Sequence, residues 1–88
     1  MEITQHAYDR ARERLGLNKN SFERLVEKAL ISGRKANTFK GTIKKYLDKL
    51  SITYKTSTVV YGEYLLFFVG DKLITTYQLP SNLKKYLK

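Results

Sequence analysis

The chain has 88 residues, enough for one small domain and no second core. It carries 17 Lys and Arg against 8 Asp and Glu, a formal net charge of +9, with one histidine and no cysteine. Disulfides, thiolate metal sites and thiol catalysis are therefore excluded, and one histidine among scattered carboxylates argues against a metal enzyme.

The first predicted element is a helix over Thr4–Leu15, reading T-Q-H-A-Y-D-R-A-R-E-R-L. His6, Arg10 and Arg14 recur at steps of four, and each such step advances roughly 40° around an α-helix. They form a stripe beside the apolar arc of Ala7, Tyr8, Ala11 and Leu15, where packing can hold a side chain while its polar tip stays accessible. Read as chemistry, the stripe is an anion-binding or acid–base site; read as packing, it is a solvated basic edge. The N-terminal residues M-E-I-T-Q-H show no charged region followed by an apolar run. No stretch approaches the ~18 apolar residues of a membrane span. A cytoplasmic protein with no membrane partner is expected.

Gly16 breaks the first helix, and a second is expected over Asn20–Ser32. Asn20 is the expected N-cap, with Glu23 completing a capping box. Phe22, Leu25, Val26, Ala29 and Leu30 then repeat as one buried face, and Gly33 is placed to end the helix in a left-handed conformation. Residues 33 to 38 read as a polar connection. A third helix is expected from Phe39 to about Leu50, capped by Asn37 or Thr38, with Phe39, Ile43, Tyr46, Leu47 and Leu50 on its buried face. Gly41 inside that helix costs about 1 kcal/mol relative to alanine, unless it lets a backbone or phosphate approach closely.

Between Arg34 and Lys49 lie six basic residues (Arg34, Lys35, Lys40, Lys44, Lys45 and Lys49) and a single acid, Asp48. Such density favours a polyanionic partner: nucleic acid, with RNA preferred to DNA, or an acidic protein surface. Arg34, Lys35, Lys40, Lys44 and Lys45 are the candidate nucleic-acid contacts. DNA reading by the third helix is disfavoured, because no helix-turn-helix pair with a polar reading face can be seen.

From Ser51 the period changes to two. Ile52, Tyr54 and Thr56 alternate with Thr53, Lys55 and Ser57, and Val59-Val60-Tyr61 follow. Gly62-Glu63 and Gly70-Asp71 have glycine first, as type II′ hairpin turns require, and bracket an apolar run, Tyr64 to Val69, fit for a central strand. The last strand, Leu73 to Leu79, is expected to place Leu73, Thr75, Tyr77 and Leu79 on one face, and Pro80 stops it. The tail from Ser81 reads either as a short amphipathic turn through Leu83, Tyr86 and Leu87 or as a frayed end. The expected fold is α+β, one domain over 1–88: two to three N-terminal helices within 4–50, packed on a three- to four-stranded antiparallel sheet within 52–79, then a tail over 80–88.

Cleavage of RNA without a metal or other cofactor needs a base for the ribose 2′-OH, a proton for the 5′-oxygen, and cations for the charged phosphorane. Histidine titrates near neutrality, and the arginine fork presents paired donors to phosphate oxygens. His6, Arg10 and Arg14 are the candidate catalytic residues, with Thr75 and Tyr77 as hydroxyls from the sheet. With one histidine, the second proton role falls to a tyrosine, a lysine or water.

The H-x-x-x-R-x-x-x-R helix, a second amphipathic helix and a sheet ending in L-I-T-T-Y resemble small toxin-type ribonucleases of the RelE and colicin D group. That resemblance implies helices preceding an antiparallel sheet, with an active site where helix and sheet meet. H-A-Y-D-R-A-R-E-R-L-G-L with F-K-G-T-I-K-K-Y-L-D-K-L is more closely similar to small phage and Firmicutes proteins, a similarity that implies no activity. Two functions are thus expected in order: an RNA-binding, toxin-like, metal-independent endoribonuclease, or a non-catalytic phage-type accessory or counter-defence protein that blocks an acidic host protein or nucleic acid.

Overall fold

Leu65, Leu66, Phe67 and Phe68 are consecutive in one strand and all buried. Neighbouring residues of a strand point to opposite faces, so this sheet must be covered on both. The computed structural model describes residues 2–35, 38–54 and 57–83, without the side chains of 51–54. Its elements are β1 (Glu2–Ile3), α1 (Gln5–Arg10) continuing as a π-helical turn (Ala11–Leu15), α2 (Lys19–Ser32), β2 (Arg34–Lys35), α3 (Gly41–Tyr54), β3 (Ser57–Tyr61), β4 (Tyr64–Val69) and β5 (Lys72–Gln78). The sheet order is β1-β5-β4-β3-β2, antiparallel except where β1 runs parallel to β5.

The fold is α+β as expected, with the long strands in the C-terminal half. One face of the sheet, through Leu66, Phe68 and Leu73, packs on Ala7 and Ala11 of the first helix and on Phe22, Leu25, Val26 and Ala29 of α2. The other, through Val60, Leu65 and Phe67, packs on Phe39, Ile43 and Leu47 beside and within α3, with Leu79 and Leu83. The helices are therefore divided between two layers.

Several boundaries differ from expectation. The sheet gains two short edge strands, β1 and β2, and Arg34 and Lys35 belong to β2 rather than to a loop. Two-residue strands carry too little pattern to be read locally. The N-cap of α2 is Asn18, whose Oδ1 accepts from the Ser21 N–H at 2.9 Å, so the helix begins before Asn20. Leu30, expected on the buried face, is 52% exposed, with no described element packed over it. Gly33 is not left-handed (φ −69°); glycine is needed there because a β-carbon would strike the Ala29 carbonyl and lie 2.6 Å from Val59 Cγ1. Gly41 opens α3 rather than interrupting it, and its φ of +71° explains the glycine without any close neighbour.

The expected start of the sheet at Ile52 is also corrected. Residues 52 to 54 continue α3, since Ile43, Leu47, Leu50 and Tyr54 keep a helical spacing through the alternating segment, and extending a formed helix is easier than nucleating a strand. Thr56 lies outside the described residues, as do Asn37, Tyr86 and Leu87. Thr38 does not cap α3: its Oγ1 donates to the Lys35 carbonyl at 2.7 Å. Leu83 is buried in a single tight turn whose N–H donates to the Pro80 carbonyl.

In β5, Phe67 pairs with Thr75 and Phe68 with Leu73, leaving Ile74 as an extra residue. This bulge turns Leu73 to the α1–α2 side while Thr75 and Tyr77 stay on the α3 side, so the expected single face of Leu73, Thr75, Tyr77 and Leu79 is split.

Val26 is 1% exposed within the α1–α2 layer. Val26→Asp, which buries an unpaired carboxylate, is expected to cost about 3–5 kcal/mol, most of the stability of a domain of this size. Loss of the cooperative thermal transition in circular dichroism checks it; a variant that melts like the parent would place Val26 outside the core.

Candidate functional site

The first helix is tied to β5 at its start. The Thr4 N–H donates to the Leu73 carbonyl at 3.1 Å, its Oγ1 donates to the same carbonyl at 3.0 Å, and that Oγ1 accepts from the Ala7 N–H at 3.2 Å as N-cap. One threonine thus ends the β1–β5 pairing and starts the helix. From there the helix runs alongside β5. Where β1 stops, a cleft of about 510 Å³ opens between them, lined by Thr4, His6, Arg10, Arg14, Ile74, Thr75 and Tyr77. A cleft of this size accommodates a nucleotide-sized ligand.

All five candidate catalytic residues, His6, Arg10, Arg14, Thr75 and Tyr77, line this one cleft. The local backbone explains how. On an ideal α-helix Arg14 would stand ~80° from His6 and turn away from the strand. The π turn over Ala11–Leu15 closes i→i+5 rings, so each residue there rotates by less than an α-helical step. The four-residue step from Arg10 to Arg14 then falls short of a full turn instead of overshooting it, which brings Arg14 back over the stripe. Gly16, in the left-handed region at φ +68°, closes the turn.

Arg14 is clamped. Its Nη1 donates to Thr75 Oγ1 at 3.3 Å and to the Thr76 carbonyl at 3.2 Å, and its guanidinium carbon lies 3.9 Å above the centre of the Tyr77 ring. Tyr77 in turn meets Phe67 edge-on at 5.6 Å between centroids. Arg10 is held from its own helix by Glu13, Nη1 to Oε2 at 2.6 Å. The Arg10 Nε is buried with no hydrogen-bond partner among the described residues. A buried N–H without an acceptor is costly. His6 is exposed at the mouth, while Thr75 is buried.

Two lining residues were not expected from sequence. Thr4 and Ile74 line the cleft, and the only local signal for Thr4 was its place before a helical run. Tyr46 of α3 lies near Tyr77: burial, and then the proximity of Tyr77, raise its pKa above the ordinary tyrosine value. Among the described residues, no group of three or more His, Cys, Asp or Glu side chains is arranged to hold a metal ion, and no helix is long and apolar enough to cross a membrane.

The second set of candidates does not form one surface with the cleft. Arg34 and Lys35 are on β2, at the opposite edge of the sheet from β1. Arg34 stacks on Phe39 at 4.1 Å and donates to the Thr38 carbonyl. Lys44 spans both carboxylate oxygens of Asp48 at 2.8 Å, which cancels its charge locally. Lys35, Lys40 and Lys45 are exposed.

Comparison with protein-family models, with curated proteins and with solved structures finds no match.

If the clamp on Arg14 is as described, Arg14→Lys loses the flat contact with Tyr77 and one of the two donated bonds. The expected loss is about 1–2 kcal/mol, or a melting temperature lower by about 5–10 °C. An unchanged melting temperature would mean that the guanidinium is not held by β5.

Proposed function

We propose that this protein binds RNA in the cytoplasm and cleaves it without a metal, as a toxin-type endoribonuclease, at the cleft between the first helix and β5. The observation that carries this reading is that His6, Arg10 and Arg14 share the cleft with Thr75 and Tyr77, residues more than 60 positions away in sequence. The chemistry needs few parts. The ribose 2′-oxygen attacks phosphorus as the His6 imidazole takes its proton; the bond from phosphorus to the 5′-oxygen breaks, and that oxygen takes a proton from water. The products are a 2′,3′-cyclic phosphate and a 5′-hydroxyl. Arg14, held by β5, faces the phosphorane with little reorganisation as negative charge gathers there, and Arg10 adds a second guanidinium once it leaves Glu13. Thr75 and the Tyr77 ring position Arg14 instead of moving protons.

Purified protein incubated with RNA in EDTA is expected to release cyclic-phosphate ends. His6→Ala should reduce the rate by at least about a hundredfold with an unchanged melting temperature, because the side chain is exposed. His6→Asn, which hydrogen-bonds but does not titrate, should fail equally, and Arg10→Lys should be impaired by loss of the fork. An active His6→Ala protein ends the catalytic reading.

The exposed cations at the far edge favour attraction of a polyanion over direct chemistry. Since Lys44 is occupied by Asp48, the informative change is Lys40→Glu with Lys45→Glu. RNA affinity is expected to fall about tenfold and its salt dependence to flatten. Loss of an acidic protein partner on that change, with RNA affinity unaltered, would instead favour the blocking protein.

A further inference from the structure

The first helix ends at Gly16, and the chain passes through Leu17 into α2. Beside this passage lies a second groove, of about 250 Å³, lined by Leu17, Ser21, Arg24, Lys28, Tyr61 and Tyr64. It is at the same end of the sheet as the inner end of the cleft: Tyr64 pairs with Gln78, the residue after Tyr77, and Leu17 is three residues beyond Arg14.

Arg24 and Lys28 stand four residues apart, on adjacent turns of α2 and on the same side. Like charges so placed repel by a few tenths of a kcal/mol, and neither forms an ion pair among the described residues. Of the carboxylates on the same helix, Glu23 accepts from the Tyr8 hydroxyl at 2.6 Å, and Glu27, three residues from Arg24, is exposed and forms no ion pair among the described residues. Opposite the two cations stand Tyr61 and Tyr64, paired across the β3–β4 hairpin and each half-buried. Two cations facing two aromatic rings, with a serine hydroxyl between helix and hairpin, match the needs of unpaired nucleotides: phosphates to the cations, bases against the rings. A duplex keeps its bases stacked on one another and would leave the rings unused.

We propose that this groove binds the single-stranded RNA segment that leads away from the cleft, so that the substrate is single-stranded and spans both sites. The proposal rests on the reading of the cleft as an RNA site and extends it by a second set of contacts. The strand passes over Arg14, follows the turn at Gly16, and lays its next bases on Tyr64 and Tyr61.

The test uses a 2′-O-methyl oligouridine of about twelve nucleotides, which lacks the attacking hydroxyl, so that binding is read apart from cleavage. Fluorescence anisotropy is measured for the parent, for Arg24→Gln with Lys28→Gln, for Tyr61→Leu with Tyr64→Leu, and for Arg14→Gln. The parent chain has seven tyrosines and no tryptophan, so quenching of tyrosine emission reports stacking directly. The groove variants are expected to weaken binding about tenfold, with the charge pair also lowering the logarithmic salt slope by roughly 1.4, from about 0.7 per phosphate contact. Quenching should shrink in the tyrosine variant. Should that variant fold poorly, Arg24→Gln with Lys28→Gln, which changes only exposed positions, decides alone. Unchanged affinity in the charge variant, with Arg14→Gln weakened, overturns the groove and leaves the cleft. Weakening in the charge variant with Arg14→Gln unchanged removes the cleft from RNA binding and overturns a strand that spans both sites. A parent that binds no single strand, or that prefers duplex RNA, overturns the proposal outright.

Discussion

The burial of four consecutive residues in β4 dictates the arrangement of everything else. Leu65 to Phe68 cannot face water on either side, so two helical layers are obligatory, and the described residues supply three helices from which to build them. α2 brings the longest apolar face to one side, joined by the small residues Ala7 and Ala11, which let the first helix approach closely. α3 covers the other side through Ile43 and Leu47, with Phe39 before it and Leu79 and Leu83 after the last strand. Because the first helix fills only the margin of its layer, it lies along β5 at the border of the sheet, and its polar stripe is left looking across that border. The cleft is a consequence of how the core is divided.

Two local irregularities complete it, one on each wall. The π turn corrects the drift of the helix so that Arg14 reaches β5, and the bulge at Ile74 brings Thr75 and Tyr77 to the side where Arg14 meets them. Either device alone would leave the guanidinium and its partners out of step. Both cost regular hydrogen bonding, and such irregularities are concentrated at functional sites. Their pairing across a cleft is stronger evidence for use than either by itself.

Much of this was legible in the sequence wherever a pattern was long. The buried face of α2 from Phe22 to Ala29, the two glycine-led hairpins and the apolar β4 follow from periods that repeat several times. The stripe His6–Arg10–Arg14 was visible as spacing, and Thr75 and Tyr77 as hydroxyls on an adjacent strand. What could not be read was set by contacts distant in sequence. β1 and β2 are two residues each and exist only because β5 and β3 offer them an edge. Asn18 and Asn20 are equally good caps in isolation, and the helix starts from the earlier one. Residues 52 to 54 satisfy a helical and an alternating pattern at once, and no local rule separates the two. The π turn has no sequence signature, so the angle of Arg14 was mistaken even though its neighbours were not.

The balance of charge around the cleft gives the arginines different tasks. Arg14 is committed to Thr75, Thr76 and Tyr77 before any ligand arrives, so it supplies a fixed positive wall. Among the described residues Arg10 is held by Glu13, a partner 59% exposed, and an ion pair of that kind contributes about 0–1 kcal/mol. Its Nε has no acceptor among them. On the proposed reading, a phosphate entering beside His6 offers acceptors to the Arg10 guanidinium, while displacing Glu13 into water at little cost. Glu13 then serves as a placeholder that keeps the guanidinium from folding back along the helix. A rigid arginine and an exchangeable one, separated by a single helical turn, let the site be organised in advance and still be filled.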